Sequence, residues 1–138
     1  MARVALVTGG SRGIGGAISV ALKGAGYNVA ASYAGNDEAA RKFTEETGIP
    51  AFKWDVSDFD ACKAGVAQVE QQLGPVDVLV NNAGITKDTT LTRMTVEQWR
   101  AVIGTNLDSL FYMTKCVFDG MKSRNFGRII IISSVNGQ

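Results

Sequence analysis

The sequence predicts an α/β domain: a doubly wound parallel sheet of strand order 3-2-1-4-5 with helices on both faces. Three observations carry that expectation. Short apolar runs alternate with segments of helical periodicity along the whole chain. A glycine-rich turn, Thr8-Gly9-Gly10-Ser11-Arg12-Gly13-Ile14-Gly15, joins the first run to the first helical segment. Polar residues then recur where the apolar runs end, and right-handed crossovers bring those ends to one rim.

Composition narrows the function classes. With 138 residues, the chain is long enough for one domain, 1–138, that buries roughly 70% of its unfolded surface. That is short for a complete dinucleotide-binding sheet with its substrate site, so an incomplete domain is expected. The formal charge is +1 and basic residues are scattered, which excludes an electrostatic stripe for nucleic acid or anionic lipid. No apolar run has the length of a signal peptide or a membrane span, so a cytoplasmic protein is expected. There is no histidine, and Cys62 and Cys116 lack metal-ligand or C-x-x-C spacing. No metal is expected, and both cysteines read as buried free thiols.

The first strand is Val4-Ala5-Leu6-Val7, and the helix after the turn carries Ile14, Ile18, Ala21 and Leu22 at helical spacing. Glycines at 9, 13 and 15 let backbone amides turn sharply and approach a bulky anion at a helix N-terminus, where the dipole favours negative charge. A phosphate or pyrophosphate suits that turn. It is not a P-loop, because Gly16-Ala17 rather than Lys-Ser/Thr follows Gly15, and the G-x-G-x-x-G fingerprint fails in every register. Asn28–Tyr33 reads as the second strand. An acid about 20 residues past the glycines marks NAD, and here that position is near Tyr33. Arg12 offers a guanidinium fork for a 2′-phosphate, with a solvated turn residue as the alternative and Asp37 and Glu38 as opposing charges.

The segment 37–47 is a helix stopped by Gly48-Ile49-Pro50, and Ala51–Val56 is the third strand. Asp55 at its end either accepts from an adenine amino group or caps the next helix, a role also open to Ser57 and Asp58. That helix carries Phe59, Cys62, Val66 and Val69 as one buried stripe. Val76–Val80 reads as a central strand and runs into Asn81-Asn82-Ala83-Gly84, which leaves room for a flat ligand; Asn81 alternatively ties strand ends together. Thr95-Val96-Glu97-Gln98 resembles a capping box opening a helix with Val96, Trp99, Val102 and Ile103 inward. Asn106 then precedes a long helix whose apolar face, Leu107 to Met121, is wide enough for core packing or a subunit interface. Arg128–Ile132 is the fifth strand, followed by Ser133-Ser134-Val135-Asn136-Gly137-Gln138.

Thr8-Gly9-x-x-x-Gly13-x-Gly15, Asp55-Val56, Asn81-Asn82-Ala83-Gly84, Asn106 and Ser133-Ser134, in this order, resemble the short-chain dehydrogenase/reductase family over all 138 residues. The resemblance implies a Rossmann-like NADP-binding domain. In it Gly9, Ser11, Arg12, Gly13, Ile14 and Gly15 hold the pyrophosphate and 2′-phosphate of NADPH; Tyr33 joins the cofactor-binding candidates by its position about 20 residues past the glycines, where the adenosine ribose is met. Asp55 and Val56 meet the adenine, and Asn82, Ala83 and Gly84 lead towards the nicotinamide ribose. Ser134 hydrogen-bonds a ketone oxygen, Asn106 orders a proton-relay water, and Asp88 faces an acyl substrate. More narrowly, 82–88 and 133–138 are similar to the branch that reduces acetoacetyl-CoA to (R)-3-hydroxybutyryl-CoA for polyhydroxybutyrate synthesis. The 3-oxoacyl-carrier-protein reductases are its neighbours, and a non-catalytic nucleotide-binding module is the other alternative. The complete family fold implies a homo-oligomer, a tetramer. Two features depart from the pattern: Ile131 stands where close members have asparagine, and no tyrosine is followed by lysine four residues on. Without that proton donor, the chain alone is expected to bind cofactor but not to turn over.

Overall fold

The computed structural model describes residues 2–82 and 92–132. Strands and helices alternate: β1 (Val4–Thr8), α1 (Gly13–Gly24), β2 (Asn28–Tyr33), α2 (Asp37–Thr47), β3 (Ala51–Lys53), α3 (Phe59–Leu73), β4 (Val76–Asn81), α4 (Val96–Ser123) and β5 (Arg128–Ile131). The strands form one parallel sheet in the order β3-β2-β1-β4-β5, as the alternation predicts. Each of the first four strands is followed by a helix because parallel neighbours need a crossover, and that crossover must bury an apolar face.

β1 is buried along its whole length, and its side chains alternate between two cores. Val4 and Leu6 join Phe52, Cys62, Val66, Val69, Leu79, Met113 and Val117 on the face covered by α3 and α4. Ala5 and Val7 join Val29, Ala31, Ile49, Val78 and Val80 on the other face, against Ile18, Leu22 and Phe43. Cys62 is buried and Cys116 half-buried, both as free thiols. Among the described residues no helix is long and apolar enough to cross a membrane.

In α1 the buried residues are Gly15, Gly16 and Ser19, whereas Ile14 is exposed; small side chains let this helix lie close on the sheet, leaving Ile18 and Leu22 half-buried at its flank. β3 stops at Lys53 rather than Val56, because the Asp55 carboxylate accepts from both the amide and the hydroxyl of Ser57 and turns the chain. The two helical segments expected after Thr95 are one helix, α4, opened by a complete Thr95/Gln98 capping box. Asn106 therefore lies inside a helix and not at an element's end on the rim. Val96, Trp99 and Ile103 are exposed rather than inward. With 28 residues, α4 is about 42 Å long and outruns β4, whose six residues span about 20 Å. Only its later turns, through Ser109, Met113, Val117 and Met121, are buried.

Candidate functional site

β1 ends in Thr8, whose hydroxyl accepts a 3.0 Å hydrogen bond from the Asn82 amide at the end of β4. The Asn82 side chain donates to Gly9 O at 3.3 Å, so one asparagine braces the start of the turn with backbone and side chain together. Gly10 N donates to Ser32 O on β2, and Ser19 of α1 donates back to Gly10 O at 2.8 Å. The turn is thus held by β2, β4 and its own helix. Its backbone also demands glycine: Gly9 and Gly13 sit at φ of 61° and 60°. A Cβ at Gly15 would stand 2.0 Å from Gly9 O and 2.6 Å from Asn82 Nδ2.

Arg12 is the N-cap residue of α1, extended at φ −161°, and its side chain makes no capping bond. No acidic residue lies in the first turn of α1. The leading amides of this helix therefore have neither a side-chain cap nor a carboxylate to offset their partial positive charge. A bound phosphate is the group that such an end fits. Ser11 is buried within the turn, while Arg12 and Ile14 are exposed.

At the carboxyl end of β2, Tyr33 lies in register with Lys53 of β3. The Tyr33 hydroxyl donates to Asp37 at 3.1 Å, and Lys53 Nζ is 3.1 Å from the same carboxylate. The Lys53 ammonium first, and the Tyr33 hydroxyl second, hold the Asp37 carboxyl below the usual range. Glu38, the other acid in that helical turn, lies 4.0 Å from Arg41. Lys53 was not visible as a site residue from the sequence; its place opposite Tyr33 is a matter of strand register, and the only local signal is its outward position beside buried Phe52.

Asp55 sits beyond β3, with its carboxyl held low by the Ser57 hydroxyl and then the Ser57 amide. The N-cap of α3 is Asp58, which accepts from Ala61 N, so capping does not occupy Asp55. Val56 is half-buried against the core, and its carbonyl accepts from the Cys62 thiol at 3.4 Å. Asn81 is buried; its carbonyl accepts from Ile132 N, joining β4 to β5, while its side-chain nitrogen has no hydrogen-bond partner among the described residues. Asn106, in mid-α4, accepts on its carbonyl from the Ser109 hydroxyl. The structure thus brings together the glycine turn and Asn82 in direct contact, and sets Tyr33 and Asp55 at the ends of β2 and β3. Ala83, Gly84, Asp88, Ser133 and Ser134 lie outside the described residues. Among the described residues no three His, Cys, Asp or Glu side chains form a group that could hold a metal ion.

Residues 3–138 match the model of the short chain dehydrogenase family. Over its full length the chain is 67% identical to the acetoacetyl-CoA reductases of Shinella zoogloeoides and Paracoccus denitrificans, spanning 57% of each. It is 45% identical over 142 aligned residues to a 3-oxoacyl-[acyl-carrier-protein] reductase of Staphylococcus aureus, with 99% of this chain and 58% of that protein covered. Among solved structures, a short-chain dehydrogenase from Streptomyces avermitilis superposes with a TM-score of 0.84 at 32% identity, over 96% of this chain and 49% of that one. A glycine turn braced by a strand-end asparagine, a parallel sheet of this order and a family match over nearly the entire sequence agree: the chain belongs to the short-chain dehydrogenase family.

Proposed function

We infer that this chain is the cofactor-holding part of an NADPH-dependent 3-oxoacyl-thioester reductase acting on acetoacetyl-CoA. The observation that carries the cofactor is the start of α1, uncapped by any side chain, free of acids in its first turn and preceded by a turn in which Gly10 and Gly15 leave no room for a Cβ and Gly9 and Gly13 hold a positive φ. Gly9, Ser11, Gly13, Ile14 and Gly15 take the pyrophosphate, and Arg12 the 2′-phosphate. Tyr33 takes the ribose edge, Asp55 and Val56 the adenine, and Asn82 with Ala83 and Gly84 the path to the second ribose. The choice of a CoA rather than a carrier-protein thioester rests on the relatives: 67% identity to the acetoacetyl-CoA reductases against 45% to the carrier-protein reductase.

When bound, the reduced nicotinamide supplies the hydride that a ketone carbon accepts. The protein's part is then to hold the ketone and complete the proton balance. Ser134 donates a hydrogen bond to the carbonyl oxygen as negative charge grows there, Asn106 orders the relay water, and Asp88 faces the acyl group. The proton itself needs a donor of tuned acidity. None of Tyr27, Tyr33 and Tyr112 is followed by lysine four residues on, so the 138-residue chain binds nucleotide without turnover. The apolar face of α4 serves as a subunit contact in this reading.

Fluorescence titration of the purified chain with NADPH and NADH tests the assignment. NADPH binds more tightly, and Arg12→Ala narrows the ratio of the two affinities roughly tenfold, as loss of a charge-assisted phosphate contact implies. An unchanged ratio removes Arg12 from the 2′-phosphate. Acetoacetyl-CoA-dependent oxidation of NADPH appears only when a fragment carrying a Tyr-x-x-x-Lys pair is added; binding that stays silent with it favours a non-catalytic module.

A further inference from the structure

The carboxyl end of β2 poses an electrostatic problem for the proposed cofactor. A 2′-phosphate delivered there meets the first turn of α2, which holds two acids, Asp37 and Glu38. An uncompensated carboxylate at that place repels a phosphate and accepts ribose hydroxyls instead, which favours the unphosphorylated dinucleotide. Glu38 lies 4.0 Å from Arg41, whose closer partner is Glu45 at 3.2 Å, so this exposed acid is only weakly screened by a surface pair. Asp37 is different, because its cation comes from another element.

Lys53 is the last residue of β3 and pairs in parallel register with Tyr33. Its ammonium lies 3.1 Å from Asp37 Oδ1 and 3.2 Å from Oδ2, so it bridges both carboxylate oxygens. The Tyr33 hydroxyl takes a further lone pair of Oδ1 at 3.1 Å. Three of the roughly four acceptor positions of the carboxylate are thus engaged by the protein, which leaves less for a ribose hydroxyl. The glycine turn abuts this place, since Gly10 N donates to the neighbouring Ser32 O, which sets the exposed Arg12 on the same rim.

We propose that Lys53 is a specificity-determining residue: by neutralising Asp37 across the β2–β3 edge it gives the site its preference for a 2′-phosphorylated dinucleotide. It acts through Asp37 and is a positioning residue, not a catalytic one. The assignment rests on the NADPH reading above, but it makes a separate demand on the data. Lys53 and Asp37 are both exposed side chains, so substitution leaves the core untouched.

Four versions of the chain decide it: unsubstituted, Lys53→Gln, Asp37→Asn and the double variant, each titrated with NADPH and with NADH at low ionic strength. Lys53→Gln lowers the NADPH-to-NADH affinity ratio about threefold to tenfold, the range that one unmasked charge several ångströms away produces in a partly solvated site. Asp37→Asn in the Lys53→Gln background restores the ratio, because the charge that Lys53 masked is then gone. A ratio that Lys53→Gln leaves unchanged overturns the proposal while the NADPH reading stands. A ratio that falls but is not restored in the double variant also overturns it, since Lys53 then contacts the phosphate directly. Binding of neither nucleotide by the unsubstituted, folded chain removes the NADPH reading and this proposal together.

Discussion

At the scale of single residues, Gly15 is where sterics and function meet. The ideal Cβ position lies 2.0 Å from Gly9 O, a backbone atom that cannot swing aside, and 2.6 Å from the asparagine nitrogen that braces the turn. Gly15→Ala is therefore expected to destabilise the chain by about 1–3 kcal/mol, the usual range for overpacking. It should also weaken NADPH roughly tenfold or more, because the turn must open. Gly24→Ala, whose Cβ would meet nothing within 4 Å, serves as the control and should leave binding nearly unchanged and stability equal or raised by up to about 1 kcal/mol. Urea unfolding and nucleotide titration read the two quantities separately; equal behaviour of the two variants removes the steric argument. Asp55 shows the limit of reading single residues. Its sequence position allowed an N-cap or an adenine acceptor, and only the observed Asp58–Ala61 bond shows that capping is done by its neighbour.

At the scale of elements, α4 departs furthest from its local pattern. Helical periodicity marks apolar residues as inward, yet Leu107, Phe111 and Phe118 are 59%, 61% and 51% exposed while Met113 and Val117 are buried. Periodicity reports that a face is apolar; what covers it is a property of neighbouring elements. β5 shows the same thing at the sheet's edge, where Ile130 and Ile131 are 43% and 57% exposed beside a strand that pairs only with β4 among the described residues. Exposed apolar surface of this kind drives association. The purified chain is expected to sediment as an oligomer, and Leu107→Glu with Phe111→Glu to shift it towards the monomer. A clean monomer for the unsubstituted chain would show that these faces do not associate.

The whole molecule sets the response to pH, with no histidine to titrate between pH 5 and 8. Asp37 and Asp55 both titrate in the folded chain below the ordinary 3.8. A depressed folded value means a contribution that is present above the unfolded value and lost as pH falls through the folded one, so stability declines below about pH 4. Cys62 works in the opposite direction. Burial, and then the neighbouring Cys116 thiol, push it from 9.0 up to about 12. Its contribution is complete below the unfolded value and is lost as pH rises towards the folded one. Urea midpoints should accordingly stay level from pH 5 to 8 and fall on both sides. Cys62→Ala should make the alkaline fall shallower; an unaltered alkaline slope would assign that fall to other groups.

Read without coordinates, the chain already declared its class, its strand order and the turn at its first strand end. These follow from local chemistry: hydrophobic period, glycine conformational freedom and stop signals all act within a few residues of where they are written. The close packing of α1 through Gly15, Gly16 and Ser19, the merging of two helical segments into α4, and the bond from Asn82 to Gly9 belong to the tertiary structure. So does the Lys53–Asp37–Tyr33 cluster, because strand register sets which residues of β2 and β3 lie opposite one another. A slip of one residue would send Lys53 to the opposite face of the sheet. Register and burial are settled by the packing of the whole sheet, and no window of sequence contains them.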